Sequence, residues 1–141
     1  MPGRTVTVRE SGRLARTIGV GPHRLTGDEP DPIGTDTGPT AVQLLLAGLG
    51  ACTSMTVRPY AGRKGWPPAG IKVDARMAHG TRPLGQILKE VEIIGDLNAE
   101  RISRPATIAE HCPLQHMLSA SVPVHTLTPA RRPAAPSPGT A

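Results

Sequence analysis

The chain contains no phenylalanine, one tryptophan and one tyrosine. Its core must therefore be aliphatic, and a surface with so few rings is poorly equipped to stack nucleic-acid bases. A net charge of +5 would suit a polyanion. No recognised nucleic-acid motif accompanies it, however, and the positive excess is local. Arg4, Arg9, Arg13, Arg16 and Arg24 crowd the first 24 residues, and Asp28, Glu29, Asp31 and Asp36 follow. A solvated basic hairpin accounts for this, and no nucleic-acid partner is expected. Cysteine is nearly as scarce. Cys52 and Cys112 stand 60 positions apart with no CxxC spacing, too little by themselves for a zinc site, and nothing calls for a cofactor. The opening MPGRTVTVRE lacks the apolar segment of a secretory leader. The expected location is cytoplasmic, where structural disulfides are rare.

What the chain does have is one long apolar stretch, GPTAVQLLLAGLGACTSMTVRPYAGRKGW, with Cys52 near its middle. Pro39 suits a first helical turn, where a missing N–H costs nothing. From Thr40 to Arg58 there is no further proline, and from Ala41 to Cys52 only Gln43 is strongly polar. A helix that is apolar all round is a buried helix. Gly48, Gly50 and the Thr53–Ser54 pair interrupt it too often for a membrane span, so no membrane partner is expected. The two glycines each cost roughly 1 kcal/mol against alanine, which predicts close approach of another backbone beside Cys52. Pro59 removes the bond to the Met55 carbonyl and predicts a kink or an end. On its own face Cys52 neighbours Leu45, Gly48, Leu49, Met55 and Thr56. By residue type alone such a thiol is a small core hydrophobe or a reactive group in an apolar pocket.

Around this helix the pattern alternates. Thr5–Arg9 reads as a strand, Glu10–Arg13 as a turn, Arg16–Val20 as the returning strand and His23–Leu25 as its continuation. Residues 27–38 form an acidic, Pro/Gly-rich loop. Ile71–His79 and Ile87–Ile94 read as an antiparallel hairpin with one wet face, Ile87, Val91 and Ile93 opposing Glu90 and Glu92. Asn98 is a fair N-cap for a helix over Ala99–His111, which Pro105 should bend and Cys112-Pro113 should end. Leu114–Leu118 offers a further helical turn, and Val122–Leu127 a final edge strand containing Pro123. Residues 129–141 are Pro/Ala-rich without an apolar period and read as a disordered tail behind one domain, 1–128. The fold class is α+β, and a homodimer is the simplest way to cover so apolar a helix. Trp66 is most simply a lid on the core. His111 and His116 sit in no protease-like motif and read as solvated.

The helix segment, followed about 60 residues later by GDLNAE and AEHCPLQHML, resembles the OsmC/Ohr family, the osmotically inducible and organic hydroperoxide resistance proteins. The likeness covers roughly residues 4–127. It implies curved antiparallel sheets around a long central helix, an intertwined homodimer and active sites at the subunit interface. It also implies thiol-dependent reduction of an organic hydroperoxide, regenerated by an external dithiol of the lipoyl type. On that likeness Cys52 matches the peroxidatic cysteine and Cys112 the resolving one. Arg13, in Ser11-Gly12-Arg13, matches the family's activating arginine, with Arg16 in reserve. The family's catalytic carboxylate falls on Val42 or Gln43, and neither is acidic. A desolvated thiol needs a cation to ionise, so the arginine assignment carries chemical weight. The missing carboxylate keeps a second class open, a non-catalytic or redox-sensing dimer that binds a small apolar or thiol-reactive ligand.

Overall fold

The computed structural model describes residues 3–63, 65, 70–78, 85–95 and 107–127. The chain begins with three antiparallel strands, β1 (Thr7–Glu10), β2 (Arg16–Val20) and β3 (His23–Gly27), in the order β1-β2-β3. The first strand starts two residues later than its alternation suggests. The third is a correction, because His23–Leu25 does not continue β2 but reverses against it, with Val20 opposite His23. The reversal is made by Gly21-Pro22. Gly21 adopts φ +56°, and a glycine with positive φ at the first central position is what a tight two-residue hairpin turn demands.

The long helix α1 runs from Ala41 to Arg63 and passes through Pro59 without ending there. Its start is set by a reciprocal cap. The Thr40 N–H donates to Gln43 Oε1 at 2.9 Å, and the Gln43 N–H donates to Thr40 Oγ1 at 3.2 Å. This is the T-x-x-Q box that satisfies two orphan donors at once, and it places Pro39 just before the cap instead of inside the first turn. Two strands follow, β4 (Gly70–Met77) and β5 (Ile87–Ile94), paired antiparallel with Val73 opposite Val91 and Ala75 opposite Lys89. On the wet face Lys72 meets Asp74 at 3.1 Å and Glu92 at 4.0 Å. The last helix, α2 (Pro113–Ser119), has Pro113 in its first turn and Cys112 at its cap position. The turn expected at Leu114–Leu118 is therefore a short helix.

One face of α1 packs on β4, and its middle meets α2. The buried centre is small: Leu49, Thr53 and Val57 along α1, with Ala109 and Cys112 from the segment before α2. Spacing of four residues puts the first three on one stripe. The rest of the helix is uncovered in a single chain, and Met55 is 73% exposed. By length and composition α1 could cross a membrane, but its buried stripe is already engaged by the hairpin and α2. The glycines also behave differently from expectation. Gly48 faces the Leu114 side chain and Gly50 the Val73 side chain, both at ordinary contact distance, so side chains and not a second backbone fill the space they leave.

Residues 107–109 are helical and turn at 110–111, so the helix ahead of Cys112 ends where Pro113 requires. Most of that helix, with Asn98 and Pro105, lies outside the described residues, as do Trp66, His79 and the tail. Val122–Leu127 forms no strand. Val124 is 92% and Leu127 85% exposed, and Pro123 removes a ladder donor.

Candidate functional site

The two cysteines meet. Both are free thiols, and their side chains are hydrogen-bonded to each other. The middle of α1 carries one, and the chain turning into α2 carries the other. Cys112 is fully buried and Cys52 only half-buried. Burial pushes the Cys52 thiol up, and the bond it makes to Cys112 pushes it further. Burial also opposes ionisation of Cys112. Its bond from Cys52, the N–H groups of Gln115 and Leu114, and the Thr53 hydroxyl outweigh that and hold it below the ordinary thiol range. Of the two thiols, Cys112 is the one whose ionisation the surroundings favour.

The cation of this cluster is Lys89. It rises from β5, and its ammonium donates to Thr53 Oγ1 at 3.0 Å, to the Ala109 carbonyl at 3.0 Å and to Gln115 Oε1. Burial pulls its pKa down, while the two thiols and the more distant Glu110 pull it up. Thr53 also donates to the Leu49 carbonyl at 2.9 Å. A cavity of about 770 Å³ opens beside the ammonium, lined by Lys89, Leu49, Val91, Ala109, Gln115 and Leu118. Leu49, Val91, Ala109 and Leu118 give it aliphatic wall, while Glu110, Ser119 and Ser121 line it as well and neither cysteine does. Lys89 escaped the sequence reading although its signal was present. It shares parity with Ile87, Val91 and Ile93 and interrupts the apolar face of its strand.

Arg13 stands elsewhere in the single chain. Its guanidinium donates to the Ile33 carbonyl at 2.7 Å and to the Pro32 carbonyl at 3.4 Å. Arg16 faces Glu10 at 3.7 Å and donates to the Ala15 carbonyl at 2.9 Å. The loop that receives Arg13 is organised by Asp28, a buried carboxylate that accepts from the hydroxyls of Thr35 and Thr37, both at 2.7 Å, and from three backbone N–H groups. The Thr37 and Thr35 hydroxyls, aided by those N–H groups, hold it far below the usual carboxylate range. Gly34 is required there, since a Cβ would collide with the Glu29 carbonyl and the Asp28 carboxylate. Gln43, one of the two positions the resemblance gives for the family's carboxylate, is bonded to the Thr40 N–H at the helix start. His111 and His116 are solvent-exposed. Among the described residues no group of three or more His, Cys, Asp or Glu side chains could hold a metal.

A family model described as OsmC-like protein matches residues 34–126, a span that holds both cysteines, Lys89 and the whole of α1. The chain belongs to the OsmC-like protein family. Solved structures bear out the fold. The OsmC-like protein of Mycoplasma pneumoniae superposes with a TM-score of 0.70 at 20% identity, covering 82% of this chain and 86% of that one. An organic hydroperoxide resistance protein OsmC of Legionella pneumophila does so at 0.58 and 17%, covering 81% and 88%. One from Elizabethkingia anophelis does so at 0.57 and 18%, covering 79% and 86%. At these identities the likeness is one of architecture. No curated protein matches in sequence. The OsmC-like fold accounts for the long central helix and the antiparallel sheets read from the sequence.

Proposed function

We propose that this OsmC-like protein is a cytoplasmic homodimeric thiol peroxidase that reduces organic hydroperoxides with Cys52 and Cys112. The observation that carries the reading is the meeting of two reduced thiols from the two halves of the family segment, with the Lys89 ammonium bonded to the Thr53 hydroxyl beside them. In this reading a Cys112 thiolate stands in for the missing carboxylate. Cys52 passes its proton to the Cys112 thiolate as its sulfur attacks the distal peroxide oxygen. The O–O bond breaks, and the departing alkoxide takes the proton back from Cys112 to leave as the alcohol. Cys52 is now a sulfenic acid and Cys112 again a thiolate. Attack of Cys112 on the Cys52 sulfur forms the S–S bond and expels hydroxide. An external dithiol, of the lipoyl type in this reading, returns both thiols.

Two further parts complete the proposal. A second copy covers the apolar face of α1 that one chain leaves open, and Arg13 reaches the partner's thiol pair from the N-terminal hairpin. Among the described residues its guanidinium is held only by neutral carbonyls, and its charge is available to an anion. The test is peroxide consumption with dihydrolipoamide as reductant, paired with mass spectrometry of the protein after one equivalent of cumene hydroperoxide. Loss of two hydrogens through a Cys52–Cys112 bridge is expected. Protein that stays reduced under excess peroxide would overturn the reading. The non-catalytic alternative, a redox-sensing or ligand-binding dimer, then takes its place, and the engagement of Gln43 in the helix cap is what favours it.

A further inference from the structure

Lys89 is built into the molecule in an unusual way. A lysine on the inward face of a strand normally snorkels to water. This one is half-buried and delivers Nζ to three neutral oxygens, on Thr53, Ala109 and Gln115. An ammonium has three donors and a neutral amine has two, so the three acceptors select the charged form. Among the described residues no carboxylate pairs with it. Glu110, exposed on the turn before α2, is the one carboxylate in its field. A half-buried cation without a counter-ion is costly, and the ionisable groups that act on it most strongly are the two thiols.

We infer that Lys89 is the positioning cation of the Cys52–Cys112 pair, acting on Cys112 through the Thr53 hydroxyl. The link is a relay of hydrogen bonds. Lys89 occupies a lone pair of Thr53 Oγ1, which leaves that oxygen one proton to give. Two acceptors compete for it, the Leu49 carbonyl at 2.9 Å and the Cys112 sulfur. A hydroxyl rotates freely between such partners. While Cys112 is protonated the Leu49 carbonyl takes the bond. Once Cys112 is charged, the hydroxyl turns to the stronger acceptor, polarised from behind by the ammonium. The groups facing the pair are then Lys89 from β5, Thr53 and Thr56 from α1, and the N–H groups of α2. Lys89 is the one fixed charge among them. Thr53 is fully buried, which keeps water from screening the relay. The role belongs to this chain's own residues and explains how a thiol pair ionises with Arg13 committed to a loop in the same chain.

The experiment follows thiolate absorbance near 240 nm and iodoacetamide alkylation against pH in the full chain, for wild type, Lys89→Met, Lys89→Arg and Thr53→Val. An opposite charge nearby moves a pKa by roughly 1–3 units. Lys89→Met should raise the midpoint of the pair by about one unit and slow alkylation at neutral pH by about tenfold. Lys89→Arg should restore most of it. Thr53→Val, close in shape but without the hydroxyl, should move the midpoint in the same direction as Lys89→Met. A purely structural lysine would alter melting and leave the midpoint in place, and that result overturns the inference. A measurement on unmodified wild type covers the case in which the variants fail to fold. The ¹⁵Nζ resonance of Lys89 should shift with the same midpoint as the thiolate absorbance, and a flat resonance across that titration also overturns it. The inference sits beside the peroxidase reading and is tested apart from it, because none of these arms contains a peroxide.

Discussion

The Gln43 side chain and the Thr40 backbone hold each other: the Thr40 N–H donates to Gln43 Oε1, and Thr40 Oγ1 accepts from the Gln43 N–H. Of the two positions expected for the family's carboxylate, Val42 and Gln43, the second is thus a helix cap in this chain. Thr40→Ala should destabilise the fold by about 1 kcal/mol, read by thermal or urea melting. Gln43→Glu keeps the cap and adds a charge favourable to the helix start. It should change peroxide turnover by less than about threefold, because the carboxylate would still face Thr40. A larger rate gain in a turnover assay would show that residue 43 reaches the thiols.

The two cysteines should fail differently. Cys52→Ser should abolish turnover. Cys112→Ser should gain one oxygen on Cys52 and then, lacking a partner thiol, proceed to the sulfinic acid under excess peroxide. Because Cys112 also serves as base in the proposed mechanism, the first oxidation in that variant should slow by roughly 10². Stopped-flow mixing with cumene hydroperoxide, followed by mass spectrometry, reads both the rate and the product.

Arg13→Ala removes the guanidinium proposed to reach the partner's thiols. Alkylation of Cys52 near neutral pH should slow by about tenfold, the effect of a shift of one unit. The slowing should be present in the dimer and absent in a chain kept monomeric. Unchanged alkylation in both Arg13→Ala and Arg16→Ala would remove the arginine from the site.

Acid should find Asp28. Its folded carboxylate titrates far below the unfolded value, so its contribution to stability is complete above the ordinary range, about pH 4. The contribution is lost as the pH falls below that range toward the folded value. Melting of the wild type should therefore drop between about pH 4 and pH 2. Asp28→Asn, which cannot accept all five of those bonds, should start lower at pH 7 and show a flatter dependence over the same range.

The uncovered face of α1 predicts association. Sedimentation at micromolar concentration should give twice the chain mass. Leu45→Glu or Met55→Glu, each on an exposed helix position, should shift the population to monomer.

Much of the architecture was legible because it rests on periodicity. The β4–β5 hairpin follows from alternation at Ile71, Val73 and Ala75, and α1 from an apolar run without a breaker. The meeting of Cys52 and Cys112 was legible only by resemblance, since nothing in a sequence measures the distance between two cysteines 60 positions apart. The misreadings have physical causes. Of the kink or end expected at Pro59, the end does not occur, and α1 continues four residues past it. The Thr40–Gln43 cap was written in the spacing T-x-x-Q and masked by Pro39, which drew the helix start one residue early. Val122–Leu127 carries β-formers, but Pro123 removes a ladder donor. Lys89 was hidden by its type, because a lysine in a strand is ordinarily taken for a solvent-facing residue.

The unequal burial of the two sulfurs decides how such a protein would be regenerated. Cys112 has no exposed surface, and its sulfur lies behind Thr53 and the start of α2. Cys52 keeps part of its surface open. A reductant approaching a Cys52–Cys112 bridge therefore has one face to enter by, and its thiolate must land on the Cys52 sulfur with Cys112 as the leaving group. The thiol best able to carry charge is the one expelled, which is the faster direction for exchange. Access and leaving-group acidity thus make the bridge one-sided, with every reductant handled at Cys52 and the core cysteine never touched from outside.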